Sequence, residues 1–360
     1  MHLRKQMVLR VGQGELTVSQ AAREYGVSRN TVRLWLDRAS EDTLGELAER
    51  SRRPHRIPRA TDEELKLRIL EMKAKRPAWG AKKIVAKLWP ESPPLSVRTA
   101  DRILARHGLV ATRGQAQAEV RFERDRPNEL LQVDFKGLGR PSLGYSPLSV
   151  LDDATRFCLA FRPLPDHQTD TIFEALWDVF GEYGLPDAIL TDNEPCFAEV
   201  SRYGPSKLEA KLWLLGIRVL HGRPLHPQTQ GKVERFHLTP EQELGPQLRQ
   251  QDPLDAQRVY ARFVHDYNYE RPHEALNMRT PGEIYTPSTR RRPTKMPEHS
   301  PPAGALVRRV EVTGRFTFRC QRYRAGRGLW GEHIELREEA DGYGVYFANR
   351  RFAALEDLKV

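Results

Sequence analysis

LLQVDFKG, residues 130–137, is a short apolar run with one acid, Asp134, at its centre. A run of this length, rich in Leu, Val and Phe and closed by Gly, reads as a buried strand. Working outward, YSPLSVLDDATRFCLAFRPL (145–164) reads as two further strands around a turn, and TIFEALWDVFGEYG (171–184) as an amphipathic helix. DAILTDNEPCF (187–197) is a strand ending in Asp192, and LWLLGIRVLHG (212–222) a helix followed by a strand. HPQTQGKVERFH (226–237) is a loop opening a helix that carries Glu234. Strand, strand, strand, helix, strand, helix predicts an α/β core over residues 129–286, with a mixed sheet whose one face can gather these points.

Asp134, Asp192 and Glu234 therefore sit at mid-strand, strand end and helix, 58 and 42 residues apart. Three convergent carboxylates repel one another unless a cation lies among them. Hard oxygen donors suit Mg²⁺. Two such ions can activate a water or a 3′-hydroxyl at phosphorus and stabilise the leaving oxygen. A single strand Asp is weak evidence, and Asp152 and Asp153 show how readily acids fall nearby. The combination carries the reading.

Charge is distributed in blocks. The net charge of +10 divides into +11 over residues 1–126, −7 over 127–286 and +6 over 287–360. Basic flanks around an acidic middle suit arms that hold a polyanion and a centre that holds cations. With 360 residues, the chain is long enough for several domains. No apolar run approaches the ~20 residues needed to span a bilayer. The start, MHLRKQMVLRVGQGE, is basic but lacks a signal-peptide core, so a cytoplasmic location is expected. Cys158, Cys196 and Cys320 are widely spaced, without a CxxC pair. They read as buried, reduced thiols rather than as a disulfide framework or a zinc site.

The flanks carry local signals of their own. In TVSQAAREYGVSRNTVRLWLDR (17–38), Thr17 and Gln20 form a capping box, Gly26 stops the first helix and Ser28 caps the second. This predicts a helix-turn-helix within a domain over 1–49, its second helix entering a major groove. Ser28, Arg29, Asn30 and Arg33 are then the residues that reach bases or phosphates. Residues 50–61 form a basic, proline-interrupted linker. Residues 62–112 hold three further helices, over 62–75, about 80–89 and 97–108, with Ser96 as a cap and Gly108 as a stop. They read as a second helix-turn-helix-like domain or as a plain helical spacer. A polar connector (113–128) leads into the core. After it, 287–304 is a proline-rich basic linker, and 305–360 alternates apolar and polar residues between Gly-containing turns, as in a small all-β barrel.

The order QVDFKG, DDATRF, TDNEPCF, HPQTQGKVERFH and YNYERPHEALNMRTPGEIY resembles the DDE transposases of bacterial insertion sequences, which share a ribonuclease-H-like core with retroviral integrases. The N-terminal helix-turn-helix is similar to that family's end-recognition region. The resemblance implies that Asp134, Asp192 and Glu234 are metal ligands and catalytic residues. It further implies two Mg²⁺ ions per active site when DNA is bound, with Mn²⁺ as a substitute. The implied partners are double-stranded DNA, as transposon terminal repeats and target, and further copies of the chain on that DNA, at the bacterial nucleoid. No membrane and no small-molecule substrate is implied. Gln230, Lys232 and Arg235 are candidates for DNA contact. Asn193 is expected to orient the site loop, and His237 to face the DNA. Tyr267, Asn268, Arg271, Pro272 and His273 resemble the family's signature after the core, with packing as their expected role.

Two departures stand out. Glu194 occupies the place where the family usually has Gly. Leu238 and Glu241 stand where it usually carries basic residues, and Pro240 is expected to break the helix. A core decayed at these positions would leave a sequence-specific DNA-binding protein. A general nuclease is the other alternative, but it leaves residues 17–38 without a purpose.

Overall fold

The computed structural model describes residues 2–41, 61–110, 124–138, 143–197, 204–221 and 231–360. The chain forms two compact units, Met1–Ala60 and Thr61–Val360. The expected linker over 50–61 lies almost entirely outside the described residues, as does most of the connector over 113–128.

Among its described residues the first unit has three helices, α1 (His2–Gly12), α2 (Val18–Glu24) and α3 (Arg29–Glu41). Thr17 and Gln20 make the reciprocal capping box at the start of α2. Gly26 turns the chain with φ +63°, and the Ser28 hydroxyl accepts from the Thr31 N–H at 3.0 Å to start α3. Ala21, Ala22, Val32 and Trp35 close the crossing of α2 and α3. Small residues at 21 and 22 allow the close approach. Helix α1 adds Met7 and Val8 to the same core.

The second unit opens with α4 (Glu63–Lys75), α5 (Ala81–Leu88) and α6 (Val97–Arg106), packed around Ile69, Trp79, Ile84 and Leu104. The Ser96 hydroxyl caps α6 by accepting from the Thr99 N–H. Polar contacts tie this helical group to later parts of the same unit. Arg76 Nη1 lies 2.7 Å from Asp266 Oδ2, and the Trp79 Nε1–H donates to Glu243 Oε1 at 3.1 Å.

Five strands follow: β1 (Leu131–Phe135), β2 (Ser146–Asp152), β3 (Cys158–Leu164), β4 (Ala188–Thr191) and β5 (Arg218–His221). They form one sheet in the order β3-β2-β1-β4-β5. The first three run antiparallel, while β4 pairs parallel with β1 and with β5. Helices α7 (Thr169–Tyr183) and α8 (Lys207–Leu214) belong to one face, and α9 (Gly231–Leu244) and α10 (Pro253–His265) to the other. The two-residue period of β1 decides its sides. Leu131, Val133 and Phe135 enter the core with α7, leaving Gln132 and Asp134 on the α9 side. Mixed order, antiparallel start and helices on both faces make this a ribonuclease-H-like fold.

Helix α9 runs unbroken through Pro240, contrary to the expected break. Proline costs a free helix about 3 kcal/mol, but here Thr239 and Pro240 are buried. The turn beyond them is anchored by Glu241 to Arg249 (2.7 Å) and by Glu243 to Arg271. Tertiary contacts outweigh the missing backbone hydrogen bond.

Residues 287–304 lie along the core. The Leu185 N–H donates to Arg290 O at 2.7 Å, and Arg292 stacks over Trp177 at 4.5 Å. Six short strands complete the chain: β6 (Leu306–Arg309), β7 (Arg315–Phe318), β8 (Gln321–Arg324), β9 (His333–Glu339), β10 (Gly342–Phe347) and β11 (Arg350–Ala354). They form a four-stranded sheet, β11-β10-β9-β6, and a separate β7-β8 hairpin around one apolar core. This all-β domain is thus two sheets, with no continuous ring of paired strands. Ala210, Trp213 and Leu214 of α8 join its core. At Gly328 a Cβ would stand 2.3 Å from Pro205 O, so only glycine permits this docking. Among the described residues, no helix is long and apolar enough to cross a membrane.

Candidate active site

Asp134 sits on β1, Asp192 directly after β4, and Glu234 in the first turn of α9. Strands β1 and β4 pair Leu131 with Ile189 and Gln132 with Leu190. Continued by two residues, that register sets Asp134 opposite Asp192. The Val233 N–H donates to Gln132 Oε1 at 3.2 Å, which brings the turn bearing Glu234 onto the same strand. The electrostatics register the convergence. Burial pushes the Asp134 carboxyl up to about 7, helped by the Asp192 carboxylate and then by Glu194 and Glu234, against an opposing hydrogen bond from the Phe135 backbone. Burial also raises Asp192, and Glu194 adds to it. Glu194 is therefore a fourth carboxylate at the site. Its N–H donates to Asp192 Oδ1 at 3.0 Å, closing the turn after β4.

The support for α9 was hidden from sequence reasoning. Lys232, expected on DNA phosphates, points inward, with Nζ 2.7 Å from Asp153 Oδ2. Asp153 is fully buried. It also accepts from Gln132 Nε2 at 2.7 Å and from the Arg124 N–H at 2.7 Å. Gln132 thus bridges Asp153 to the α9 backbone. Its neighbour Asp152 accepts from the Asn128 and Thr155 N–H groups, fixing the β2–β3 turn.

His237 lies one turn after Glu234 and faces Asp134 rather than solvent, with Nδ1 3.8 Å from Asp134 Oδ2. Burial, then the Lys136 charge, lowers its pKa to about 4, so the ring is neutral at pH 7. The Ser149 hydroxyl donates its one hydrogen to Asp134 O at 2.8 Å. Its oxygen must then accept from His237 Nε2–H at 2.8 Å. That tautomer leaves the Nδ1 lone pair facing Asp134.

Arg235 is exposed beside Glu234, and Asn193 is exposed in the turn after Asp192. Gln230 lies outside the described residues. In the first unit Ser28, Arg29, Asn30 and Arg33 are all exposed at the start of α3. The Tyr267–His273 block packs as expected. Asn268 exchanges hydrogen bonds of 2.9 Å with both backbone groups of Cys158, and Tyr267 and His273 meet edge to face. Glu241, expected to weaken DNA contacts, is engaged by Lys136 and Arg249. The cysteines differ from one another: Cys158 is buried, Cys196 partly buried and Cys320 exposed. Cys196 stands beside His167 and Glu194, and its meeting with His167, far back in the sequence, has no local signal.

Three hard carboxylates, two of them raised chiefly by burial and Asp134 further by the Asp192 charge, form a donor set that fits divalent cations. Comparison with known proteins agrees with the fold. Residues 124–227 and 215–281 each match a family profile described as an integrase core domain. Residues 4–66 match a winged helix-turn helix, and 305–360 match the C-terminal domain of the IS481 family transposases. An uncharacterised protein of insertion element IS407 from Burkholderia multivorans is 25% identical over 237 residues, covering 63% of this chain and 82% of that protein. The Pol polyprotein of a radiation murine leukemia virus is 28% identical over 131 residues, 36% of this chain but only 21% of the polyprotein. The catalytic core domain of BIV integrase superposes with a TM-score of 0.35 at 22% identity, covering 44% of this chain and 93% of that domain. An integrase core preceded by a helix-turn-helix defines the class. Together these matches support a bacterial insertion-sequence transposase that carries such a core.

Proposed function

We propose that this chain binds the ends of its own mobile element, hydrolyses a phosphodiester bond there, and joins the freed 3′-hydroxyl to target DNA at the bacterial nucleoid. One observation carries the reading: the charges of Asp192, after β4, and Glu234, on α9, both act on the buried Asp134 of β1, so a strand, a strand end and a helix converge. Asp134 and Asp192 would hold one Mg²⁺ jointly, and Glu234 a second with one of the aspartates. Mn²⁺ would substitute. When bound with DNA, the two ions would supply Lewis-acid activation of the attacking oxygen and charge stabilisation of the leaving one.

The remaining work belongs to the chain. Asp153, Lys232 and Gln132 hold the α9 turn in place. Ser149 holds the His237 ring so that its lone pair, not a competing proton, faces Asp134. The exposed start of α3 reads the terminal repeat, and Arg235 meets phosphate. Two or more copies would hold the two element ends together.

The test is strand cleavage and joining on an oligonucleotide carrying the DNA end that flanks the gene, with Mg²⁺ or Mn²⁺. Wild type gives nicked and joined products, and Glu234→Gln gives neither. A second reading, a DNA-binding protein with an inert core, is favoured by one feature: the extra charge of Glu194 on Asp134 and Asp192. Sequence-specific binding without cleavage in either metal would establish it.

A further inference from the structure

His167 follows β3 and Glu194 and Cys196 follow β4, yet the three side chains converge at the mouth of the acidic site. Their ligand atoms, an imidazole nitrogen, a carboxylate oxygen and a thiol sulfur, all lie within 4.8 Å of one another. Glu194 Oε2 is central, 3.8 Å from His167 Nδ1 and 3.7 Å from Cys196 Sγ. Tetrahedral zinc, with bonds of about 2.0 Å to nitrogen or oxygen and about 2.3 Å to sulfur, needs ligand pairs about 3.3–3.6 Å apart. The two Glu194 pairs reach this with movements of a few tenths of an ångström.

Both supporting segments are anchored on one residue. The His167 ring stacks on Phe135 with centroids 3.8 Å apart and planes 6° from parallel. Phe197, buried next to Cys196, packs on the same Phe135 ring at 5.7 Å. The turn between them is closed by the Phe197 N–H to Glu194 O at 2.9 Å, and it is tied down by the Ser206 hydroxyl to Phe197 O at 3.1 Å. The ligands border an open cavity of about 550 Å³, so solvent can reach the cluster.

We infer that His167 Nδ1, the Glu194 carboxylate and the Cys196 thiolate form a binding site for a thiophilic divalent cation of the zinc type, separate from the carboxylate triad. The donor sets differ in kind. Nitrogen and sulfur select zinc-like ions, whereas the all-oxygen triad suits Mg²⁺. Binding converts the Cys196 thiol to a thiolate and releases its proton to solvent. The Glu194 that departs from the family's usual glycine then has a ligand's role. A cation held here also fixes the turn that begins at Asp192.

The experiment uses the full chain, stripped with chelator and titrated with Co²⁺ as a spectroscopic stand-in for Zn²⁺. A thiolate-to-cobalt charge-transfer band is expected, displaced by Zn²⁺. The band disappears in Cys196→Ser, and Co²⁺ affinity falls about tenfold or more in His167→Ala. It persists in Cys158→Ser, in Cys320→Ser and in Glu234→Gln, so failure of the triad reading would not remove it. A measurement without mutation protects against misfolded variants: Zn²⁺ slows alkylation of Cys196, read by peptide mass spectrometry, and leaves Cys320 unaffected. No band in wild type, a band that survives Cys196→Ser, or equal alkylation of Cys196 with and without Zn²⁺ would overturn the inference.

Discussion

Lys232 Nζ lies 2.7 Å from Asp153 Oδ2, a carboxylate without solvent exposure, and this pair pins the first turn of α9 two residues before Glu234. Removing one member of a buried pair leaves the other uncompensated, at a cost of about 3–5 kcal/mol. Lys232→Met should therefore lower the melting temperature and raise the Mg²⁺ concentration needed for half-maximal cleavage. The double variant Asp153→Asn/Lys232→Met should recover much of the stability. If thermal denaturation shows the two substitutions to be additive, the pair does not act as a unit.

Asp134 predicts a pH dependence in the metal-free protein. Its folded pKa, about 7, is above the ordinary 3.8, chiefly through burial. Below pH ~4 the group is protonated in both folded and unfolded chains. As pH rises toward 7, only the unfolded chain sheds the proton readily, so stability falls through that window. The loss is on the order of 2–4 kcal/mol. Asp134→Asn should flatten the decline, raising the chelated protein's melting temperature at pH 8 relative to wild type. Urea denaturation at pH 5 and pH 8, wild type against variant, gives the comparison. Parallel pH profiles would count against it.

At the start of α3, Asn30→Ala and Arg33→Ala test the reading helix. A residue on a base edge should cost about 1–3 kcal/mol on the cognate end, with little change on random DNA. A residue on phosphate should weaken both substrates alike and reduce the salt slope by about one. Competition binding at several salt concentrations separates these outcomes. Unchanged binding in both variants would remove α3 from the interface.

The acids of α9 should differ in weight according to burial. Glu243 is nearly buried, pairs with Arg271 and accepts from the Trp79 indole. Glu243→Leu should destabilise by about 3 kcal/mol and loosen the α4–α6 group, read as faster amide exchange around Trp79. Glu241, nearly a third exposed with its Arg249 partner, should cost under ~1 kcal/mol as Glu241→Ala. Equal losses would mean that burial does not set the scale here.

Much of this protein was legible along the chain because the relevant signals act within a turn or two. The Thr17–Gln20 box, the Ser28 and Ser96 caps and the turn at Gly26 are each made by residues less than four apart. Element order around Asp134, Asp192 and Glu234 followed from apolar periodicity. Helix α1 was less visible, because its apolar residues serve a core supplied mostly by α2 and α3.

What the chain alone decided, then, was the kind and order of its elements, the domain chemistry they imply, and which acids could meet. Tertiary structure decided the rest. Lys232 has the composition of a phosphate contact, and only the burial of Asp153 turns it inward. Pro240 ends a helix in isolation, and only its burial and the Glu241 and Glu243 pairs carry α9 through it. His167 and Cys196 meet because β3 and β4 lie on opposite sides of the β2–β1 pair in one sheet, and their following loops return over Phe135. Such encounters depend on strand order and on which charges are desolvated, and neither is encoded within the span of a local motif.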